Sequence, residues 1–576
     1  MLRCVAHWLT SLCHSATPEY FFILEHTTAT RLYRAGAHWL GFSCHFATAE
    51  YALHHTKIVG NCKMDGERGG GAPPPGPRFS LSLISAMIEP IIRQYQIVIS
   101  RIMKKTKIVA TIGPASGSVE MLTKLAKAGM NVCRLNFSHG VHEGHAEWVT
   151  NIHTAAQGLG MPIAILQDLS GPKIRIGDFS EGRVTLKKGS SFTLTTKACM
   201  GDETRAFINY KALPGEVKKG DAILLDDGKK RLEVVSVSGD EIICKVIVGG
   251  DTKSRRGVNL PGVSLKISSL TEKDKKDIPF GVKHNVDYVA LSFVRHASDV
   301  KELRAILNKA KSTAKIIAKI ETQEAIDNID AIIAEADGIM VARGDLAVEV
   351  PAENVPIYQK MIIKKCNAVG KPVIVATQMM ESMIKSPVPT RAEVSDVANS
   401  VLDGADAVML SEESALGEYP VETVAMMTKV AEMAEKNYPH HEVLYSSILD
   451  AKNEESKNVV DAVTFGAVST ARTVGAKAII ALTESGLTAR MISRYRPEQP
   501  IIVMSPKRHV IEQMVLLFGC HPVRIEKLTA IDDVMKEVRT FVLANKFAKK
   551  GDKVVIAAGI PFGNTGGTNM LLVKVI

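Results

Sequence analysis

At 576 residues, with 46% apolar and 23% charged side chains, the chain can build several buried cores and has the balance of an ordinary globular protein, which excludes a disordered or fibrous molecule. The net charge of +10 raises nucleic acid as a partner, but aromatics are only 5% and no Lys/Arg run is interleaved with them, so a basic enzyme with anionic substrates is the better reading. Nine cysteines without a CxxC pair exclude a zinc ribbon and a disulfide framework and fit a reducing cytoplasm.

Residues 1–102 differ in kind from the rest. They hold seven of the 17 His, four of the nine Cys and two of the three Trp, and AHWLTSLCHSATPEY (6–20) recurs as AHWLGFSCHFATAEY (37–51). Cys13, His14, Cys44 and His45 could form a small zinc module, but adjacent Cys-His pairs lack finger spacing. The apolar stretch 79–102 is broken by Glu89, Pro90 and Arg93, which argues against a membrane span, and it lacks the features of a secretory signal. A Gly/Pro tract at 69–77 precedes MKKTKIVATIGPAS, which opens at Met103 like a natural chain start. Residues 1–102 are therefore expected to be disordered or not made at all.

From there strand and helix patterns alternate. TKIVATIG (106–113) reads as a strand and VEMLTKLAKAGM as a helix; in VCRLNFSHG (132–140) Arg134, Asn136 and Ser138 fall on one strand face and Cys133, Leu135 and Phe137 on the other. A polar face on a central strand is expensive unless something uses it. AILQDLSGPKIR (164–175) ends its strand on Asp168. After Gly177 the rhythm changes to short strands with frequent turn signals, an antiparallel β insert of about 90 residues, the size of a small domain, closing at RRGVNLPG (255–262). Alternation resumes after capping signals at Thr271/Asp274 and later Thr390/Glu393. Strands centred near 108, 134, 166, 290, 318, 340, 374 and 409 make eight βα units, hence a closed (β/α)8 barrel with its chemistry at the strand C-terminal face.

The centre of the pattern is KIIAKIE (315–321) followed by GIMVARGDLAVEVP (338–351). Lys319 and Glu321 are two apart on a strand and so share a face, and the next strand delivers Arg343, Gly344 and Asp345 to the same end. Two carboxylates beside a lysine suit a divalent metal and a phosphate. From about Asn437 a further α/β segment begins, with two loops, 483–488 and 563–568, that offer hydroxyls and backbone N–H groups to an anion; ordinary tight turns are the plainer alternative.

In this order on barrel strands, with a β insert after the third, VCRLNFSHG, LQDLSGPKIR, KIE, MVARGDLAVEVP and ATQMMESM resemble the pyruvate kinase family over residues 103–576, in its bacterial form. The resemblance implies a cytoplasmic enzyme, usually homotetrameric and often allosteric, that moves the phosphoryl group of phosphoenolpyruvate to ADP, giving ATP and pyruvate. It implies barrel segments at 103–171 and 266–437, a β-barrel lid at 172–265 and a C-terminal α/β regulatory domain at 438–576. By similarity Glu321 and Asp345 hold Mg²⁺ (or Mn²⁺), Lys319 stabilises the transferring phosphoryl group and the enolate, and Arg134 meets the substrate phosphate. The N–H groups of Gly344 and Asp345 bind the substrate carboxylate, and Thr377 stands near the enolpyruvate carbon. Asn136, His139, Arg175 and Arg256 face the nucleotide, Arg256 standing where many members have lysine. Asn136, Ser138, Asp168 and the carbonyl of Leu169 match the family's potassium site. Potassium-dependent members generally read GPEIR; this chain reads GPKIR, and the ammonium of Lys173 could replace the monovalent ion, so weak or no potassium dependence is expected. Thr483, Ser485, Gly486 and Thr488 match the family's effector loop, for a sugar bisphosphate, a sugar monophosphate or AMP.

Two rivals keep the same barrel. A catalytically silent sensor of phosphometabolites should have lost the lysine or a metal carboxylate, and a metal-dependent lyase or aldolase would not need a lid over a nucleotide. Lys319 and Glu321 alone could be an ordinary ion pair; their company of Asp345, Arg134, Asn136, Ser138, Asp168 and Thr377 argues otherwise.

Overall fold

A computed structural model describes residues 104–444, 458–526, 531–561 and 567–576. The expectations for residues 1–102, including the Cys-His pairs and the start at Met103, lie outside the described residues.

Eight strands form a closed parallel barrel: β1 (Lys107–Thr111), β2 (Val132–Asn136), β3 (Ala164–Asp168), then after the insert the strands Tyr288–Leu291, Lys315–Ile320, Gly338–Ala342, Val373–Ala376 and Ala407–Leu410. Their side chains are buried almost throughout, because helices cover the outer face and apolar side chains fill the inner one. That double burial is why the strands read as continuous β-branched runs. The covering helices are amphipathic, with Leu122, Leu125 and Ala126 of Val119–Ala128 turned to the barrel and Ser118 accepting from the N–H of Met121 at its start. Both expected capping boxes form, at Thr271/Asp274 and Thr390/Glu393.

Strand β2 stops at Asn136, sooner than expected. Ser138 is in a turn, its N–H donating to Asn136 Oδ1 at 3.1 Å, so it does not share a strand face with Arg134. An Asn side chain that bonds backbone two residues on competes with strand pairing, which ends the strand.

The insert contains β4 (Arg183–Leu186), β5 (Ser191–Thr195), β6 (Arg205–Phe207), β7 (Ala222–Leu225), β8 (Lys230–Ser238), β9 (Glu241–Val248), β10 (Gly250–Lys253) and β11 (Val258–Asn259). Among the described residues these make a six-stranded sheet, ordered β11-β7-β8-β9-β5-β6, and a β10-β4 ribbon. Pairing is antiparallel except between β5 and β6, which run parallel. The insert has its own apolar core around Phe192, Leu194, Leu232 and Val246.

In chain order the remaining barrel strands are β12 (Tyr288–Leu291), β13 (Lys315–Ile320), β14 (Gly338–Ala342), β15 (Val373–Ala376) and β16 (Ala407–Leu410). The C-terminal segment adds β17 (Ile479–Leu482), β18 (Ile501–Ser505), β19 (Cys520–Arg524), β20 (Lys553–Ala558) and β21 (Met570–Val575), a sheet ordered β19-β18-β17-β20-β21 with only β21 antiparallel. It packs on the barrel at the strand starts. Val515 and Leu516 join the apolar cluster inside the barrel, Tyr288 donates to Gln513 O at 2.5 Å, and Lys107 Nζ donates to Cys520 O at 2.7 Å. Arg496, 1% exposed, reaches Asp406 at 2.8 Å through both carboxylate oxygens. The strand ends at the opposite mouth are thereby left to the site. No described helix is long and apolar enough to cross a membrane.

Candidate active site

Each barrel strand releases its last residue at one rim, and the polar residues that sequence placed there converge. Arg134 on β2 donates from Nε to Asp168 Oδ2 at 2.7 Å and from Nη1 to Thr111 Oγ1 at 2.9 Å. That commits two of its five donors and leaves the rest for a ligand. Asp168 ends β3 and is 1% exposed; its Oδ1 has no hydrogen bond and stands 3.4 Å from Lys319 Nζ. Burial alone would raise the Asp168 carboxyl, but Lys319 and Arg134 hold it below the ordinary carboxylate range.

Lys319, near the end of β13, sits 3.0 Å from Glu321 Oε1 and donates to Ser292 Oγ at 2.8 Å. Burial works against its charge, yet Asp168 and Glu321 push its ammonium above the ordinary lysine value. Glu321, 1% exposed, also accepts from the N–H of Phe293 at 2.6 Å. Its carboxyl is raised by burial, Lys319 opposes that, and Asp345 adds to it. Two carboxylates close enough to repel, one of them buried, form a donor set that a divalent cation would relieve. Among the described residues no group of three or more His, Cys, Asp and Glu side chains is placed to hold a metal ion.

Gly344 and Asp345 open the short helix Arg343–Glu349 that follows β14. The N–H of Gly344 donates to Thr377 Oγ1 at 2.7 Å, and that hydroxyl donates to Ala376 O at 2.6 Å. A carboxylate can use the Gly344 N–H only by displacing Thr377.

Three of the residues that the resemblance assigns to potassium have internal partners. Asn136 Oδ1 accepts from Ser138, Leu169 O accepts from Ser292 Oγ at 2.8 Å, and Asp168 is held by Arg134 and Lys319. Lys173 is close enough to feel Lys319, Asp345, Arg175 and Asp168; burial, then Lys319, lower its ammonium below the ordinary value. His139 is lowered by burial first, then by Lys173, Arg175 and Arg134, which keeps its ring neutral to lower pH than a free imidazole.

A cavity of about 510 Å³ lies between insert and barrel, lined by Lys173, Arg175, Asp226 and Arg256 on one side and by Thr322, Glu324 and Asp345 on the other. Arg256 Nε is 3.3 Å from Asp226 Oδ1, and Arg175 Nη1 donates to Arg255 O at 2.9 Å. Cationic and acidic side chains facing one cavity suit a phosphate chain bound with a cation.

The effector candidates are less open. Thr483 Oγ1 accepts from the Gly486 N–H at 2.9 Å, and Thr488, 3% exposed, shares a 2.8 Å bond with Thr568 Oγ1; Ser485 is exposed. Lys507 pairs with Glu484 at 3.1 Å beside this loop. Of the second loop, residues 563–566 lie outside the described residues.

Sequence reasoning passed over Ser292, Thr111 and the Arg343–Asp396 pair. Ser292 follows β12 directly, so the rule that picked Asp168, a polar residue just at a strand end, could have found it.

Comparison with known proteins follows the same division. The model of the pyruvate kinase barrel domain matches residues 103–424, and that of the pyruvate kinase alpha/beta domain matches residues 461–574. A pyruvate kinase of Clostridium acetobutylicum is 46% identical over 477 residues, 82% of this chain and 100% of that protein. One of Geobacillus stearothermophilus is 45% identical over 477 residues, 82% of this chain and 80% of that protein. A crystal structure of a pyruvate kinase from Cryptosporidium parvum superposes with a TM-score of 0.79 at 37% identity, covering 83% of this chain and 97% of that one.

Proposed function

The chain belongs to the pyruvate kinase family, and from that premise we infer that it is a phosphotransferase moving the phosphoryl group of phosphoenolpyruvate to ADP, giving ATP and pyruvate. The observation that carries the residue assignment is the buried Lys319, held charged between Asp168 and Glu321 beside Arg134. Phosphoryl transfer is mostly positioning and neutralisation of spread charge, so a fixed ammonium and guanidinium at one rim are the parts required.

In our reading Arg134, braced by Asp168 and Thr111, takes the substrate phosphate, and Lys319 turns from Glu321 towards the transferring group and the enolate. Thr377 presents its hydroxyl near the enolate carbon and takes part in proton delivery, directly or through water. Gly344 and Asp345 N–H groups orient the substrate carboxylate. Glu321 and Asp345 would hold Mg²⁺ or Mn²⁺, which would supply charge neutralisation during phosphoryl transfer. Asn136, His139, Arg175 and Arg256 meet the nucleotide. Asn136, Ser138, Asp168 and Leu169 O form the monovalent-cation site, and the ammonium of Lys173, placed in reach of Asp168 and Asp345, supports a weak need for potassium. We also place a phosphorylated effector at Thr483, Ser485, Gly486 and Thr488, and read the chain as a cytoplasmic homotetramer. The division at 103–171, 172–265, 266–437 and 438–576 is supported by separate apolar clusters in barrel, insert and C-terminal segment.

The deciding experiment is pyruvate formation from phosphoenolpyruvate and ADP with Mg²⁺, with and without added potassium, using the full chain and Lys319→Met. Turnover that depends on Lys319 supports the assignment. A chain that binds phosphoenolpyruvate without turnover would be the silent sensor instead.

A further inference from the structure

Thr377 follows β15 with φ +73°, and Gln378 after it has φ +53°. A β-branched residue in the left-handed region is a genuine outlier, and it persists only where its surroundings over-determine it. Chief among the surroundings is one ion pair, whose arginine also meets Gln359 and Met379. Arg343 Nη1 and Nη2 meet Asp396 Oδ1 and Oδ2 at 2.5 and 2.6 Å, a two-pronged contact between the residue after β14 and the helix Arg391–Leu402. The same guanidinium donates from Nη2 to Thr377 O at 2.9 Å and from Nε to Ala376 O at 3.4 Å, so it grips both carbonyls at the bend. The N–H of Gly344 also donates to Thr377 Oγ1, but a substrate carboxylate taking this N–H would replace that bond, so the guanidinium contacts to the two carbonyls carry the hold.

We propose that Arg343 and Asp396 are positioning residues that hold Thr377 in its left-handed conformation and so aim its hydroxyl at the reacting carbon. Asp396 fixes the guanidinium plane, the guanidinium fixes the Thr377 carbonyl, and the carbonyl fixes the Cα–Cβ direction. The inference rests on the reading of Thr377 as a participant in proton delivery to the enolate.

The test uses the full chain with Asp396→Asn, Arg343→Lys, Thr377→Ala and the Thr377→Ala/Asp396→Asn double variant. It measures kcat, KM for phosphoenolpyruvate, and exchange of the pyruvate methyl protons with deuterated solvent in the presence of ATP and Mg²⁺. Asp396→Asn is expected to lower kcat and exchange together by roughly 10- to 100-fold, the cost of a misplaced catalytic group, with KM within about twofold. The double variant should be no slower than Thr377→Ala alone, because both changes act on one group. Arg343→Lys keeps the charge but loses the fork and should repeat the pattern if Asp396→Asn does not fold. Multiplicative losses in the double variant, or a fall in kcat with exchange unchanged, overturn the positioning role. Full activity of Thr377→Ala overturns the reading of Thr377 itself.

Discussion

Replacing Lys319 by Met tests the electrostatics of the site and its proposed chemistry together. The ammonium lies 3.0 Å from Glu321 and 3.4 Å from Asp168, both 1% exposed. At an effective dielectric of about 20 these contacts amount to about 5 kcal/mol each. Several kcal/mol of ammonium desolvation stands against them. Removing the cation leaves the buried Glu321 without a cationic partner and Asp168 with Arg134 alone, and the expected loss is about 3–5 kcal/mol, as for other buried pairs broken from one side. A cation at Glu321 and Asp345 should restore much of it, since a ligand at 100 times its Kd adds about 2.7 kcal/mol. Chemical denaturation of the parent and Lys319→Met, each with and without Mn²⁺, reads both quantities. The variant should lose far more stability without the ion than with it, and kcat should fall by at least about 10²–10³, as for loss of one preorganised charge-stabilising donor. Equal stability of the two proteins, or a deficit that Mn²⁺ leaves untouched, would refute this account of the site.

Lys173→Glu should convert a rate nearly indifferent to potassium into one strongly stimulated by it; identical potassium responses would sink the stand-in role. Because burial and Lys319 lower Lys173 below 10.5, it loses its proton at lower pH than a free lysine, so potassium stimulation of the parent should emerge as pH rises through the alkaline range. Asp168 is depressed in the fold, so its contribution is present above the unfolded carboxylate pKa of about 3.9 and lost as pH falls through the lower folded value. The stability gap between the parent and Asp168→Asn should therefore narrow below about pH 4, and a gap independent of pH contradicts the shift. Arg496→Met strands the buried carboxylate of Asp406 and should cost about 3–5 kcal/mol in denaturant titration; a change under about 1 kcal/mol would show the contact to be weak.

Much of the site was legible because a parallel barrel makes it so. Strands buried on both faces read as apolar runs, and the residue at the end of each run is the one that reaches the rim, which is how Lys319, Glu321, Asp168 and Asp345 stood out. Ser138 was misplaced because the alternation of a strand gives no sign of where pairing stops; the Asn136 side chain decided that. In the insert, frequent turn signals predicted hairpins, yet β5 and β6 pair in parallel, a choice made by packing rather than by any local residue.

The sequence by itself determined the number of βα units, the capped helix starts and the chemical types gathered at the rim, since each follows from periodicity and side-chain chemistry over a few residues. Only the tertiary structure decided who holds whom. Arg343 and Asp396 are 53 positions apart and meet across two barrel units; Ser292 joins Leu169 to Lys319; Leu516 and Arg496 reach back to the barrel's opposite end. Such contacts depend on the closure of the barrel, which brings distant loops to one rim. The left-handed bend at Thr377 is the sharpest case: by propensity a threonine avoids it, and an arginine from the neighbouring strand end makes it stand.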